Sequence, residues 1–290
     1  MCGRFAAFWD DQAIGYRLDA DPQPGLPGPS WNVAPTQTVA VAVEGTDGHR
    51  RLAPAYWTLI PPTSPTRQLS FPTFNARSET ALERPTFRAA AEHFRAIFPV
   101  NGYYEWDQKH HPWYFSPTCE KIHADSQIGQ SADPPEPVRA TDRATDSSSS
   151  HVLWIGGLCS WWRDPQDGRW LLTATILTRP AIGRAVNVHE RMPLLVPDPL
   201  IEPWLNRSYA GKDAFESVQS AAQKQEQALA THEVAPLHGD GPSLLTPVQS
   251  PVRTSGRASR STQKLTKESA RKSNVSDDSN DPGAFTGTLF

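Results

Sequence analysis

The sequence predicts an α+β fold built on a curved, largely antiparallel β-sheet or barrel-like core with a few flanking helices. Segments that are rich in β-branched and aromatic residues, and bounded by Gly, Pro or Asp, outnumber helical segments. They do not alternate regularly with helices, as the strands of a parallel α/β fold would. The predicted strands are Thr38–Val43, Pro54–Ile60, Arg95–Val100, Val152–Trp162 and Arg169–Thr178.

The connecting segments complete this prediction. The last two strands are joined by DPQDG from Asp164, which favours a hairpin turn. Two segments, Ser78–Phe94 and Gly211–Ala230, have apolar residues at helical spacing and are predicted to be helices. Residues 19–29 read DADPQPGLPGP, and because proline removes backbone donors and blocks helix formation, they are predicted to form a loop inside the domain.

The chain is expected to divide into a folded domain at residues 1–249 and a tail at residues 250–290. An insertion at residues 116–150 has almost no large apolar side chain to offset the entropy of ordering, so it is predicted to be a disordered loop between two strands. The tail carries seven basic and four acidic residues, so its net charge is +3. Because the whole chain has a net charge of −3, the domain has a net charge of −6. A solvating role for the tail is the first interpretation, and nuclear localisation or nucleic-acid tethering is the alternative.

Composition excludes several classes of protein. A net charge of −3 is not the balance of a strongly basic nucleic-acid-binding domain, so an anion site would have to be local. The three cysteines have neither metal-ligand spacing nor the even number of a disulfide framework, and no secretory signal is present. No apolar run approaches the about 20 residues that cross a bilayer. We therefore expect a soluble intracellular protein without a membrane segment, metal or cofactor.

The N-terminus reads MCGRF, and a small second residue normally permits removal of the initiator methionine. Cys2 would then carry both an α-amine, with a pKa near about 7.7–8.0, and a thiol on the adjacent carbon. Such a 1,2-aminothiol can form a Schiff base with an aldehyde and then close to a thiazolidine. Alone, this N-terminal motif is not specific. Cysteine can occupy position 2 by chance, and N-terminal-nucleophile glutamine amidotransferases begin with the same residues.

Four further segments place polar or charged residues in apolar, strand-like surroundings, where those residues need partners. Taken singly, each has a structural interpretation: Asn75 as a helix cap, Arg77 as a brace, Glu105 as a strand-edge charge and His189 as a core histidine. The segments are WNVAPTQ from Trp31, FNARSET from Phe74, VNGYYEW from Val100 and VHERMPLLV from Val188.

In this order, the five motifs resemble the SOS response-associated peptidase (SRAP) family, whose members shield abasic sites in single-stranded DNA by covalent crosslinking. The resemblance covers most of residues 1–249 outside the insertion and ends with a weaker match at Asp240–Val248. It implies a DNA-damage-response enzyme whose partner is single-stranded DNA with an abasic site, acting as a monomer, in the nucleus of a eukaryote or the nucleoid and cytoplasm of a bacterium. Lyase and peptidase activities are implied as further capacities.

The resemblance also implies catalytic roles. Cys2 would attack C1′ of the ring-opened deoxyribose, Glu105 would relay protons near the amine, and His189 would open the sugar ring. Asn75 would hold the substrate or the Cys2 backbone. Each residue type suits its task, since a carboxyl group among aromatic residues and a histidine both titrate near neutrality.

Four more residues match family positions at the DNA. Arg4, Arg77 and Arg191 would bind the DNA backbone, and an arginine fork suits phosphate because it donates two parallel hydrogen bonds. Thr178, eleven residues before His189, matches a family threonine that assists there.

The sequence departs from the family pattern in one place. The family's tryptophan after the strand PAYWTLI, a wedge against unstacked bases, is absent from IPPTSPTRQLSFP, so base stacking is in doubt. Phe71, Leu59 or Ile60 are the candidates to supply an apolar surface instead. Cys119 and Cys159 are interpreted as non-catalytic, because neither can present an α-amine.

Three other functions stay open at this point. A cysteine peptidase would use Cys2 with His189 and Glu105, although only Met1 precedes Cys2 for autoproteolysis. A glutaminase would use Cys2, but no acceptor domain accompanies it, and Arg4 suits phosphate better than glutamine. A non-catalytic single-stranded nucleic-acid-binding module would bind without Cys2, and added salt would fully reverse its binding.

Overall fold

The computed structural model describes residues 2–118 and 151–248, and within these ranges the chain forms thirteen strands and four α-helices. The strands are β1 (Arg4–Ala7), β2 (Asp21–Pro22), β3 (Ser30–Val33), β4 (Thr38–Glu44), β5 (Arg50–Trp57), β6 (Asn75–Arg77), β7 (Arg95–Val100), β8 (Gly102–Trp106), β9 (Pro112–Ser116), β10 (Leu153–Arg163), β11 (Trp170–Pro180), β12 (Arg191–Pro193) and β13 (Ala230–Glu233). The helices are α1 (Asp11–Leu18), α2 (Arg88–His93), α3 (Ile201–Leu205) and α4 (Gly211–Gln227).

Five strands close into a ring. Along it, β5, β4, β7, β10 and β11 pair antiparallel in that order, and β11 returns to β5 in a parallel pairing that sets Thr173 beside Tyr56. The ring strands are rich in valine, isoleucine and aromatic residues, which pack well on a pleated, buried surface. This architecture confirms the predicted α+β class with a barrel-like, largely antiparallel core.

A second, five-stranded sheet in the order β13, β9, β8, β1, β3 packs against the ring. One apolar cluster draws on both layers and includes the fully buried side chains of Trp57, Phe98, Tyr103 and Ile176. Burying a side chain such as Phe98 or Ile176 contributes about 1.5–3 kcal/mol relative to leaving it exposed. Because Cys2 belongs to the same cluster, the packing that stabilises the barrel also fixes the start of the chain.

Most predicted elements are confirmed, and two have different bounds. The strands β4, β7, β10 and β11 and the helix α4 lie where the sequence placed them. The predicted strand Pro54–Ile60 instead begins at Arg50 and ends at Trp57, because Leu59 turns back to bond Thr73. The helix predicted from Ser78 begins only at Arg88. Pro85 lacks the N–H that a helix needs there, and residues 78–87 form successive turns.

Two predictions concern segments outside the described ranges. The disordered insertion was predicted at 116–150. Ser116 belongs to β9, β10 begins at Leu153, and residues 119–150 lie outside the described residues, so the disorder stays a prediction. The tail at residues 250–290 lies wholly outside the described residues, and the domain boundary stays a prediction. Among the helices of residues 2–118 and 151–248, none is both long and apolar enough to cross a membrane.

Candidate active site

Cys2 lies immediately before β1, with its side chain fully buried. Its carbonyl oxygen accepts a hydrogen bond of 2.8 Å from Nδ2 of Asn75. Burial raises the pKa of the Cys2 thiol strongly, and the nearby Glu105 carboxylate raises it further. The thiol is therefore held in its neutral form.

Glu105 faces the same buried region from β8, where its backbone lies opposite Trp113 of β9. Its side chain is 3% exposed, and burial raises its pKa to about 7 against the opposing charge of the amino terminus. Tyr103 lies two residues earlier on the same face of β8 and is also fully buried. A carboxyl group that titrates near neutrality can both accept and release a proton at physiological pH.

His189 follows a 3-10 turn at Gly183–Asn187, and its backbone N–H bonds the Ala185 carbonyl at 2.9 Å. The backbone N–H of Arg191 donates to Nδ1 of the ring at 2.9 Å. Nδ1 also lies 3.2 Å from the Arg191 carbonyl oxygen, to which a protonated Nδ1 would donate. The N–H of Arg191 is always a donor and its contact is shorter, so the geometry favours a neutral ring with its proton on Nε2. Partial burial lowers the pKa of His189, and the charge of the amino terminus lowers it further, so the neutral form dominates at pH 7.

The strand β11 brings the segments of Asn75 and His189 together. On one side β6 pairs with it in parallel, which sets Asn75 beside Ile176. On the other side β12 pairs antiparallel, which sets Arg191 beside Pro180. Asn75, which binds the Cys2 backbone, and His189, two residues before β12, are thus both positioned by pairings along the C-terminal half of β11.

The three predicted DNA-binding arginines lie in different environments. Arg77 is exposed at the end of β6. Arg4 is half-buried, and its Nη1 donates to the neutral amide oxygen of Asn32 at 2.7 Å, so its positive charge is not offset there. Arg191 binds the Glu79 carboxylate through both terminal nitrogens, with 2.9 Å between Nη2 and Oε2.

The predicted site residue Thr178 is 1% exposed and supports Arg191. Its backbone carbonyl accepts from Nη2 of Arg191 at 2.7 Å, and its hydroxyl oxygen lies 3.2 Å from the same nitrogen. Glu79 and Asn32 were not singled out from the sequence, although each stands inside a quoted motif. No local pattern indicates that Glu79 pairs with Arg191, because 112 residues separate them in the sequence.

A groove of about 740 Å³ lies at the end of β5, before β6. Of the three candidates for an apolar surface, Leu59 and Ile60 are buried and present no surface to a base, whereas Phe71 is 51% exposed and lines the groove. The Arg67 guanidinium lies 4.2 Å from the centre of the Tyr56 ring in the same groove. Aromatic and cationic groups are thus combined beside the Asn75 segment.

Comparison with known proteins identifies the family. The family model described as SOS response associated peptidase (SRAP) matches residues 1–239. The chain belongs to the SRAP family. Among curated SRAP relatives, the abasic site processing protein YoqW of Bacillus subtilis is 30% identical over 221 residues, covering 75% of this chain and 86% of YoqW. The abasic site processing protein HMCES of Pongo abelii is 24% identical, covering 96% of this chain and 85% of that protein.

Two solved structures share the fold of this chain. A crystal structure of a protein from Bordetella bronchiseptica has a TM-score of 0.60 at 22% identity, covering 81% of this chain and all of that one. A second, from Bacteroides thetaiotaomicron, has a TM-score of 0.63 at 17% identity, covering 86% of this chain and all of that one.

Proposed function

We propose that this protein processes abasic sites in single-stranded DNA by forming a covalent thiazolidine crosslink through Cys2 after removal of Met1. The observation that carries the proposal is the placement of Cys2 in a buried site between Asn75 and Glu105. The names of its SRAP relatives, abasic site processing proteins, support the substrate class.

The chemistry balances without a cofactor. The neutral α-amine of Cys2 attacks the C1′ aldehyde of the ring-opened deoxyribose, and loss of one water molecule gives an imine. The thiol sulfur then adds to the imine carbon while its proton passes to the nitrogen, closing the five-membered ring. Because burial keeps the thiol neutral, the amine reacts first and the sulfur second.

Glu105 and His189 supply the proton transfers. A Glu105 carboxyl group with a pKa of about 7 can protonate the departing hydroxyl group and recover the proton later. The Nε2–H of neutral His189 suits donation to the ring oxygen of the sugar during ring opening. Asn75 holds the Cys2 backbone, and its buried Oδ1, which has no hydrogen-bond partner among the described residues, can accept from the α-amine.

The DNA strand would lie across the exposed side of this site. Arg4 and Arg77 would bind phosphates, because the first is oriented by a neutral amide and the second faces solvent. Arg191 and Thr178 would complete this side of the site. Phe71 would stack against an unpaired base in the groove beside Asn75. We expect the protein to act as a monomer where the genome lies, in a nucleus or a nucleoid.

The peptidase interpretation requires a different state of the same cysteine. A cysteine peptidase attacks as a thiolate, which a nearby positive charge stabilises. Here burial and Glu105 both raise the thiol pKa, so the site disfavours the thiolate. The amine-first reaction with an aldehyde does not need it.

The test mixes purified full-length protein with single-stranded DNA that carries one abasic site, followed by denaturing gel analysis and intact mass measurement. Wild type is expected to give an adduct that survives denaturation. The Cys2→Ala variant should lose it while retaining non-covalent binding. Cys159→Ala, which removes the other buried free thiol among the described residues, is the matched control and should crosslink as wild type does. A denaturation-resistant adduct with Cys2→Ala would refute the proposal.

A further inference from the structure

Arg191 makes two kinds of contact at once. Its guanidinium group binds both carboxylate oxygens of Glu79 and the backbone and hydroxyl oxygens of Thr178. Its backbone N–H, at the other end of the same residue, bonds Nδ1 of His189. The position of the histidine ring is therefore tied to the residue that Glu79 holds.

Glu79 connects two parts of the candidate site that are far apart in sequence. It stands four residues after Asn75, on the chain that leaves β6, and 112 residues before Arg191. Asn75 holds the backbone of Cys2, whereas Arg191 holds the ring of His189. Through Glu79, the segment that fixes the nucleophile also fixes the segment that transfers the proton.

Burial and geometry stabilise the Arg191–Glu79 pair in the DNA-free protein. The Arg191 side chain is 12% exposed and the Glu79 side chain 39%. Partial burial acts to raise the pKa of Glu79, but hydrogen bonds and charge from Arg191 outweigh it and hold the pKa below its usual value. A bidentate arginine–carboxylate pair is both stronger and geometrically more specific than a single contact. A DNA phosphate could reach the fork only by displacing Glu79.

We propose that Glu79 is a positioning residue that orients His189 through Arg191, an inference that rests on the proposed function. The Glu79 carboxylate fixes the position of the Arg191 guanidinium group, which in turn fixes the backbone at the start of β12. The backbone N–H of Arg191 then favours the tautomer of His189 that carries its proton on Nε2. Glu79 itself does not touch the substrate. A role of this kind alters the rate of the chemistry and the state of the ring, and leaves the affinity for DNA unchanged.

The test compares Glu79→Gln with Glu83→Gln, which changes an exposed carboxylate on the same segment. Glu79→Gln should lower the single-turnover crosslinking rate by about 10–100-fold, the scale of a small misplacement of a reacting group. Affinity for the same DNA and its salt dependence should remain at the wild-type values. Arg191→Lys keeps the positive charge but cannot bind both carboxylate oxygens of Glu79, so it should slow crosslinking by a similar factor. It replaces Glu79→Gln in the test if that variant fails to fold.

A second measurement does not depend on crosslinking. Long-range ¹H–¹⁵N NMR spectra, assigned with His189→Gln, should show the Nε2–H tautomer in wild type and Glu83→Gln and a mixture of tautomers in Glu79→Gln. Wild-type tautomer signals in Glu79→Gln would overturn the inference about Glu79, whether or not an adduct forms. Failure of the wild-type protein to form an adduct would instead refute the proposed function. Tighter DNA binding with a steeper salt dependence in Glu79→Gln would also overturn it, by showing that the carboxylate competes with a phosphate.

Discussion

Replacing Glu105 by glutamine preserves the shape of the side chain and removes its ability to ionise. Glu105 is 3% exposed, and the folded protein raises its pKa from 4.5 to about 7, chiefly through burial. The folded state therefore binds a proton that the unfolded chain has released at the same pH. Glutamine resembles the protonated form that the fold favours, so the substitution should separate stability from catalysis.

The sign and size of the stability effect follow from proton linkage. Below pH 4.5 the carboxyl group is protonated in both states and contributes no difference. Between pH 4.5 and about 7 only the folded state holds the proton, so wild-type stability falls as the pH rises. The loss reaches about 3 kcal/mol once the folded carboxyl group is ionised. Glu105→Gln should therefore match wild type in acid and exceed it by about 3 kcal/mol above neutrality.

The assay is urea unfolding of wild type and Glu105→Gln at one pH below and one pH above the Glu105 pKa. Glu226 is also buried, with a pKa raised to about 7, but its titration is common to both proteins and cancels in the difference. Glu216→Gln, in an exposed ion pair on α4, is the matched control and should change the stability by less than about 1 kcal/mol. Equal stability differences at the two pH values would refute the assignment of a buried, proton-binding Glu105. Crosslinking by Glu105→Gln should be slow throughout, because the amide cannot relay a proton.

Two more predictions test the binding surface and the domain boundary. Arg77→Ala should weaken binding to single-stranded DNA of any sequence and lower its salt dependence by roughly one phosphate contact, measured by titration at several salt concentrations; an unchanged slope in a folded variant would assign Arg77 a bracing role. Deleting residues 250–290, or shortening the insertion within 119–150, should leave crosslinking of short oligonucleotides nearly unchanged at moderate salt. A large loss in a folded, tail-deleted protein would place the tail in the active site.

The spacing of apolar residues predicted the secondary-structure elements that depend mainly on their own sequence. The strand β7 consists entirely of buried residues, and α4 has helical spacing throughout, so both were found from the sequence. The helix α2 was extended too far because apolar spacing continued across Pro85, where the missing N–H prevents a helix. The short helix α1 was missed, although Asp10 caps it by accepting from the Ala13 N–H at 2.9 Å.

Long-range pairing could not be predicted from the sequence alone. The parallel contact of β5 with β11, which closes the ring, leaves no mark on either strand, because a run of apolar residues does not specify which strand it pairs with. The bond from Asn32 to the Gly239 carbonyl joins residues 207 positions apart, and Asn32 in turn accepts from the Arg4 side chain that we propose to bind phosphate. Family resemblance supplied the candidate catalytic residues, which stay a prediction, but only the fold showed which neighbours contact them.

The complete burial of Cys2 has a consequence for the survival of the protein before it meets DNA. Oxidation to sulfenic and higher acids, and alkylation by small electrophiles, both require an accessible thiolate. A thiol with no exposed surface and a raised pKa offers neither accessibility nor charge to peroxide or to alkylating agents. The proposed function consumes one Cys2 for each abasic site, so a thiol shielded in this way remains available for that reaction.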